Sequence, residues 1–334
     1  MALATIKDVA KLAGVSLSTA SYALNGSNKV SEKTKEKVLE AAKKLNYVPN
    51  NLAQNLKKSK TDLIALIVHE INGPFYDRLV KGIQDVAYMF GYNLLIFCES
   101  GYGRASSINF LKEKIVDGAI IMTPIITDSD IIEISNEDFP IVLLDRKLDG
   151  LDLCSVLIDN EKGAFEAVKH LVDLGHKKIG FISGVKESYD NICRFQGYVK
   201  AIENFELELN ENFVLNGDFT EQSGYEAIKN FMENSDDVPT AFFAANDEMA
   251  IGAIRALKEK GLEVPKDISI VGFDDILAAS YIEPKLTTIR RPMYELGSFS
   301  AHMLFNLIKR NIKGSNITLD VELVIRDSTA ERKG

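Results

Sequence analysis

Two rhythms of apolar residues run along the chain. Up to about residue 48, apolar positions recur every three or four residues, the spacing of short amphipathic helices. Thr5, with Asp8 three residues on, forms a capping pair, after which Ile6, Val9, Ala10 and Ala13 line one face. Gly14 supplies a turn and Ser16 a second cap. Ala20, Ala23 and Leu24 then point inward, while Leu17, Ser18, Ser21 and Tyr22 point outward. After Asn25-Gly26-Ser27-Asn28, Ser31 is expected to cap a third helix with Val38, Ala41, Ala42 and Leu45 on its inner stripe. Three such stripes close one small core, and two helices joined by a glycine turn make a helix-turn-helix.

From residue 63 the rhythm changes to short unbroken apolar runs, at 63–68, 93–97, 118–122, 140–145, 178–183, 240–246 and 268–274, separated by helical stretches. Runs this apolar suit strands buried on both faces of parallel sheets covered by helices. The pattern restarts near Glu161, after Asp159-Asn160, which points to two similar lobes. A late helix at about 294–312 and a closing stretch at 317–328 return to complete them. The expectation is a multidomain chain. An all-α three-helix head occupies 1–48, a hinge 49–61 and an α/β body 62–334. The body's N-lobe would take about 62–160 plus 291–318 and its C-lobe about 161–290 plus 319–330.

Charge sharpens this division. The chain carries a net −9, yet residues 1–60 hold eleven lysines against four acids. A basic head on an acidic body suits attraction to phosphates on one face only. The exposed start of the second helix is the natural reader of base edges, with Leu17, Ser18 and Tyr22 as contact candidates and lysines and hydroxyls around them for phosphates. A protein-docking module with solvated lysines is the plainer alternative, but turn, cap and charge coincide here.

Other classes are disfavoured. No apolar run approaches the roughly 20 residues of a membrane span. Charge also interrupts the start at Lys7 and Asp8, so a cytoplasmic protein is expected. Cys98, Cys154 and Cys193 have no ligand spacing and read as reduced core thiols. The four histidines are scattered. With no phosphate-binding glycine loop, nucleophile elbow or zinc motif, neither catalysis, metal nor cofactor is expected.

The run from Thr5 to Gly26, with Val30-Ser31, the segment from Leu45 to Asn50 and that from Ala53 to Leu56, resembles the head of the lactose-repressor (LacI) family. The likeness implies a homodimer on a pseudo-palindromic operator, each head reading a half-site. It implies DNA contacts from Thr5, Ser16, Leu17, Ser18, Thr19, Tyr22 and Asn25, and from Asn50, Ala53 and Leu56 in a hinge that becomes helical on DNA. Leu56 would wedge into the minor groove, where unstacking is repaid by the bend it allows. Ala20 and Gln54 stand where many members carry Val and Arg.

Residues 64–327 resemble the family's sensor, a periplasmic-binding-protein-like type I fold of two doubly wound lobes. There a small effector sits in the cleft at strand C-termini. On this likeness Phe75, Asp145, Arg146, Arg194, Asn246 and Asp274 are the ligand candidates, carboxylate, amide and guanidinium for sugar hydroxyls and a ring for the apolar sugar face. Asp145, Asp247 and Asp275 have helix capping as their commoner role. Some relatives answer to purines and others to a phosphorylated phosphocarrier protein. Here Tyr294 to Gly297 is followed by Ser298 to Asn306 without the arginine or lysine a phosphate would need, which argues against that protein partner.

Overall fold

In a computed structural model, residues 4–47, 60–69, 71, 76–99, 106–135, 139–148, 153–310 and 314–332 are described. Helix α1 (Ile6–Ala13) starts where the Asp8 carboxylate accepts the Thr5 backbone N–H (2.9 Å) and Thr5 Oγ1–H (2.7 Å). It stops at Gly14, whose φ of +67° is left-handed, a conformation that costs glycine nothing. Helix α2 (Leu17–Leu24) follows at once, the Thr19 N–H donating to Ser16 Oγ at 3.1 Å. Ser31 precedes α3 (Glu32–Lys44), but its hydroxyl meets Thr34 Oγ1 and takes no backbone N–H, so the expected cap is not made. Val9, Ala20 and Val38 meet in a fully buried centre, closed by Ala10, Ala23, Ala41 and Ala42. Side chains this small let the three helices approach closely. Contacts divide the chain after Thr61.

In the body, β1 (Leu63–Val68), β2 (Asn93–Cys98), β3 (Ala119–Met122), β4 (Ile141–Leu144) and β5 (Cys154–Ile158) alternate with α4 (Tyr76–Met89), α5 (Ser106–Lys112) and α6 (Asp128–Ser135). The chain then crosses to α7 (Asn160–Asp173), β6 (Ile179–Ser183), α8 (Tyr189–Asn204), β7 (Val214–Asn216), α9 (Glu221–Asn234), β8 (Ala241–Ala244), α10 (Asp247–Glu259), β9 (Ser269–Asp274) and β10 (Thr287–Arg290). It returns for α11 (Met293–Ile308) and β11 (Asn316–Leu319) and crosses last to β12 (Glu322–Val324). The sheets have matching orders, β11-β5-β4-β3-β1-β2 and β12-β10-β9-β8-β6-β7. All pairings are parallel except β10 with β12. Each of the seven apolar runs contains a strand. The short β7 and the polar-edged β10 were not visible as runs, and neither was β5.

Burial follows the topology. Strands β4, β5, β6 and β8 are buried at every position because helices cover both faces of each sheet. Helices pack through glycines: a Cβ added at Gly252 of α10 would lie 1.9 Å from the Glu221 carbonyl of α9, and one at Gly297 of α11 would lie 2.2 Å from the Leu79 carbonyl of α4. The closing segment is tied to the second lobe. Ser328 Oγ donates to the Ile270 carbonyl (2.6 Å) and accepts the Thr287 N–H (2.8 Å). His176 Nε2 meets the Ala330 carbonyl and His170 Nε2 the Thr329 hydroxyl. No disulfide joins the three cysteines; Cys154 is buried as expected, Cys193 half-buried, and Cys98, against expectation, exposed on the edge strand β2. No helix among the described residues is long and apolar enough to cross a membrane.

Gly252→Ala should separate α9 from α10 and destabilise the body by about 1–3 kcal/mol, the usual cost of overpacking. Denaturant unfolding measures it as a lower midpoint with an unchanged slope.

Candidate functional site

Two surfaces carry the chemistry, one on each unit. On the head, Leu17, Ser18 and Tyr22 are exposed on one side of α2, opposite the buried Ala20 and Ala23. Ser16 Oγ lies 2.9 Å from Ser18 Oγ and 2.7 Å from Thr19 Oγ1, so three hydroxyls cluster at the N-terminus of this helix. Lys29 Nζ sits 5.3 Å from the centre of the Tyr22 ring, which adds positive charge to the same face. Thr5 and Asn25 are exposed as well, with Asn25 Nδ2 reaching Ser21 Oγ only weakly at 3.5 Å. Asn50, Ala53 and Leu56 of the hinge, and Phe75 of the body, lie outside the described residues.

In the body, charged side chains from both lobes converge where strands end. Asp145 follows β4 of the first lobe, Asp274 ends β9 of the second, and Asp190 and Arg194 project from α8. Arg291 lies in the crossover between β10 and α11. Its Nη2 donates to Asp145 and its Nη1 to Asp274 at 3.3 Å, with Asp190 at 3.8 Å. A single guanidinium thus ties the two lobes together. Arg194 is 1% exposed; Nε donates to Asn160 Oδ1 (2.9 Å), Nη1 to the Ala245 carbonyl, and the guanidinium stacks 3.9 Å from the Phe273 ring centre. Among the described residues its Nη2 makes no hydrogen bond, and it lies 3.5 Å from Asp274 and 3.7 Å from Asp190.

The backbone adds strain at these positions. Asp145 and Asp274 have φ of +46° and +117°, values that non-glycine residues rarely adopt and that cost about 1–3 kcal/mol each. Burial pushes the Asp145 carboxyl up to about 6, against the pull of Arg291 and with the neighbouring Asp190 adding to it. Burial likewise raises Asp274, against Arg194 and Arg291. Arg291 is shifted upward, since three carboxylates together outweigh its burial, whereas burial dominates at Arg194 and lowers it. These directions agree with three acids sharing two guanidiniums.

The remaining candidates are engaged locally. Arg146 folds back on its own lobe, donating to the Ile126 carbonyl (2.6 Å) and to Asp128. Asn246 caps α10, its Oδ1 accepting the Met249 N–H (3.0 Å) while Nδ2 donates to the Phe219 carbonyl (2.7 Å). The three aspartates whose commoner role is capping cap nothing here. Asp247 accepts from the Thr288 hydroxyl and the Ile276 N–H, and burial raises it well above the ordinary range. Asp275 pairs with Arg290 and Arg326, which overcome its burial and hold it low. Asp145 accepts the Ile158 N–H. Sequence reasoning passed over Asp190, Asn160 and Arg291. Asp190 stands four residues before Arg194, a visible helical pair; nothing in Arg290-Arg291-Pro292 says which arginine turns inward.

Comparison with known proteins completes the description. A model of bacterial regulatory proteins of the lacI family matches residues 5–50, and one of a periplasmic binding protein-like domain matches 168–329. Catabolite control protein A of Priestia megaterium is 35% identical over 97% of this chain and 99% of its own length. The HTH-type transcriptional repressor PurR of Haemophilus influenzae (strain PittEE) is 37% identical over 98% of both. Among solved structures, the lac repressor dimer bound to operator and the anti-inducer ONPF is 33% identical with a TM-score of 0.82, over 98% of this chain and 100% of that one. The transcriptional regulator CelR–cellobiose complex is 32% identical with a TM-score of 0.74, over 97% and 99%.

The raised Asp145 makes a pH prediction. A carboxyl that binds its proton more tightly folded than unfolded contributes stability that is full below pH 3.8 and lost as pH rises through about 6. Going from pH 7.5 to 5.5 should therefore add about 1 kcal/mol to the native protein's stability that Asp145→Asn does not gain, read by denaturant titration at both pH values. Equal gains in the two proteins would show that Asp145 does not titrate there.

Proposed function

Because the chain belongs to the lacI family of bacterial regulatory proteins, we propose that this DNA-binding transcriptional regulator acts as a homodimeric repressor. It grips a pseudo-palindromic operator and answers to a small polyhydroxylated effector, most simply a sugar, held between its lobes. A target on chromosomal DNA puts its work in the cytoplasm, and no catalytic role is assigned to it.

The observation that carries the effector reading is Arg194 Nη2, a buried donor without a hydrogen bond between Asp274 and Asp190. A hydroxyl both accepts and donates, so one sugar OH can take the Arg194 proton and give its own to either carboxylate. The cellobiose bound in the CelR relative is such a ligand. Arg291 supplies the coupling. Ligand hydroxyls that compete for Asp145 or Asp274 loosen or reset the tie between lobes, and operator affinity follows the lobe angle. On the head, α2 enters the major groove with Leu17, Ser18 and Tyr22 toward base edges, Thr5, Ser16, Thr19 and Asn25 toward phosphates, and Asn50, Ala53 and Leu56 of the hinge toward the minor groove. A phosphocarrier partner has less to hold, for α11 carries no arginine or lysine between Met293 and Ile308.

Gel-shift titration against a library of pseudo-palindromic duplexes checks the DNA reading. Tyr22→Ala should weaken selected sites about 10- to 100-fold and relax their sequence preference, the cost of about 1–3 kcal/mol expected for a base contact. Leu56→Ala should weaken binding with little change in preference among half-sites. If neither substitution moves the titration, the head does not read DNA through these residues.

Calorimetry with a sugar panel checks the cleft. Asp274→Ala should abolish the binding of any sugar that the native protein takes up, and retained affinity would remove Asp274 from the site.

A further inference from the structure

What the cleft excludes follows from how its charges are already spent, and the inference rests on reading the cleft as the effector site. Among the described residues Asp145, Asp190 and Asp274 face Arg194 and Arg291, three acids to two bases. The positive charge of each guanidinium is matched by carboxylates. Arg194 Nη1 serves the Ala245 carbonyl and Nη2 faces two carboxylates; Arg291 Nη2 serves Asp145 and Nη1 serves Asp274. Arg146, which follows Asp145, is held by Asp128 and the Ile126 carbonyl. The helix N-termini at these strand ends also carry acids, Asp190 in the first turn of α8 and Asp247 and Glu248 in that of α10. Phosphate groups favour helix N-termini elsewhere, and a carboxylate there removes the attraction.

We propose that the cleft admits an uncharged polyhydroxylated effector and rejects its phosphate ester, with Asp190 and Arg291 as the residues that set the discrimination. The alternation of donors and acceptors suits a group that is both. A phosphate monoester near pH 7 carries close to two negative charges and only accepts hydrogen bonds. To be held it must draw a guanidinium away from its carboxylate, which leaves a buried acid unpaired. Arg291 contributes by occupying Asp145 and Asp274 together, so that its own charge is neutralised before any ligand arrives. Asp190 supplies the surplus. It is bound to neither guanidinium at hydrogen-bond distance and is the most exposed of the three acids, so its charge can be removed without breaking a short pair.

Isothermal calorimetry on the full chain at pH 7.5 tests this with glucose, galactose, ribose and cellobiose, each monosaccharide beside its terminal phosphate ester. The expected result is a neutral sugar that binds while its ester binds at least 100-fold more weakly. In Asp190→Asn that gap should narrow at least tenfold, chiefly through a gain for the ester. An ester that binds the native protein within tenfold of its parent sugar, or more tightly, overturns the charge argument and leaves the sugar reading standing. An unchanged gap in Asp190→Asn overturns the role of that residue. If adenine, guanine or hypoxanthine binds and no sugar does in either form, the sugar reading itself falls, and this inference with it.

Discussion

One buried guanidinium organises the body of the protein. Arg291 is 3% exposed and leans on an aspartate from each lobe, so the crossover that carries it cannot move without disturbing both. Removing one partner of a buried ion pair costs about 3–5 kcal/mol, because the other charge is left without water or counter-charge. That constraint accounts for the placement of its partners. The C-terminal ends of parallel strands, with the first turns of the following helices, bring side chains from two separate sheets within reach of one another. The left-handed backbone at Asp145 and Asp274 is the local cost of aiming both carboxylates into that seam.

Much of the fold was legible in the sequence because burial leaves a simple trace. Strands covered on both faces must be apolar throughout, and each of the seven runs holds a strand, although β2 at the sheet edge is only partly covered. Strand β10 escaped because its buried threonines, Thr287 and Thr288, satisfy their hydroxyls within the lobe, Thr287 through the closing segment and Thr288 through Asp247, so burial there needed no apolar run. Strand β7 is three residues long and only partly buried. In the head, alanines at helical spacing were enough, since the core they close is small.

The charged cluster at the strand ends was legible in part. Asp145, Arg194 and Asp274 were named because polar residues that end apolar strands, or follow them on a helix, are conspicuous. Asn246 met the same description, and its amide bonds the start of α10 and Phe219, partners that spacing does not reveal. Arg291 illustrates the opposite failure. It adjoins Arg290, which turns outward to Asp275 and Glu322, and which of two adjacent arginines is buried depends on the strand's alternation at its last residue. The charge surplus in that cluster therefore became visible only with the pairs in place.

The closing segment has a bearing on how the chain is made. Residues 316–324 supply an outer strand to each sheet in turn, and Ser328 fills a buried slot between β9 and β10. During synthesis the head, whose core residues all precede residue 48, can fold as soon as it emerges, whereas β5 and β10 lack their outer partners until residues 316–324 follow. A nascent chain can thus carry a finished helical head while neither sheet of its body has its full set of strands, and unpaired strand edges are the templates on which chains aggregate. Pairing of β5 and β10 with this one short segment is as much a requirement of the architecture as the ion pairs that tie its lobes.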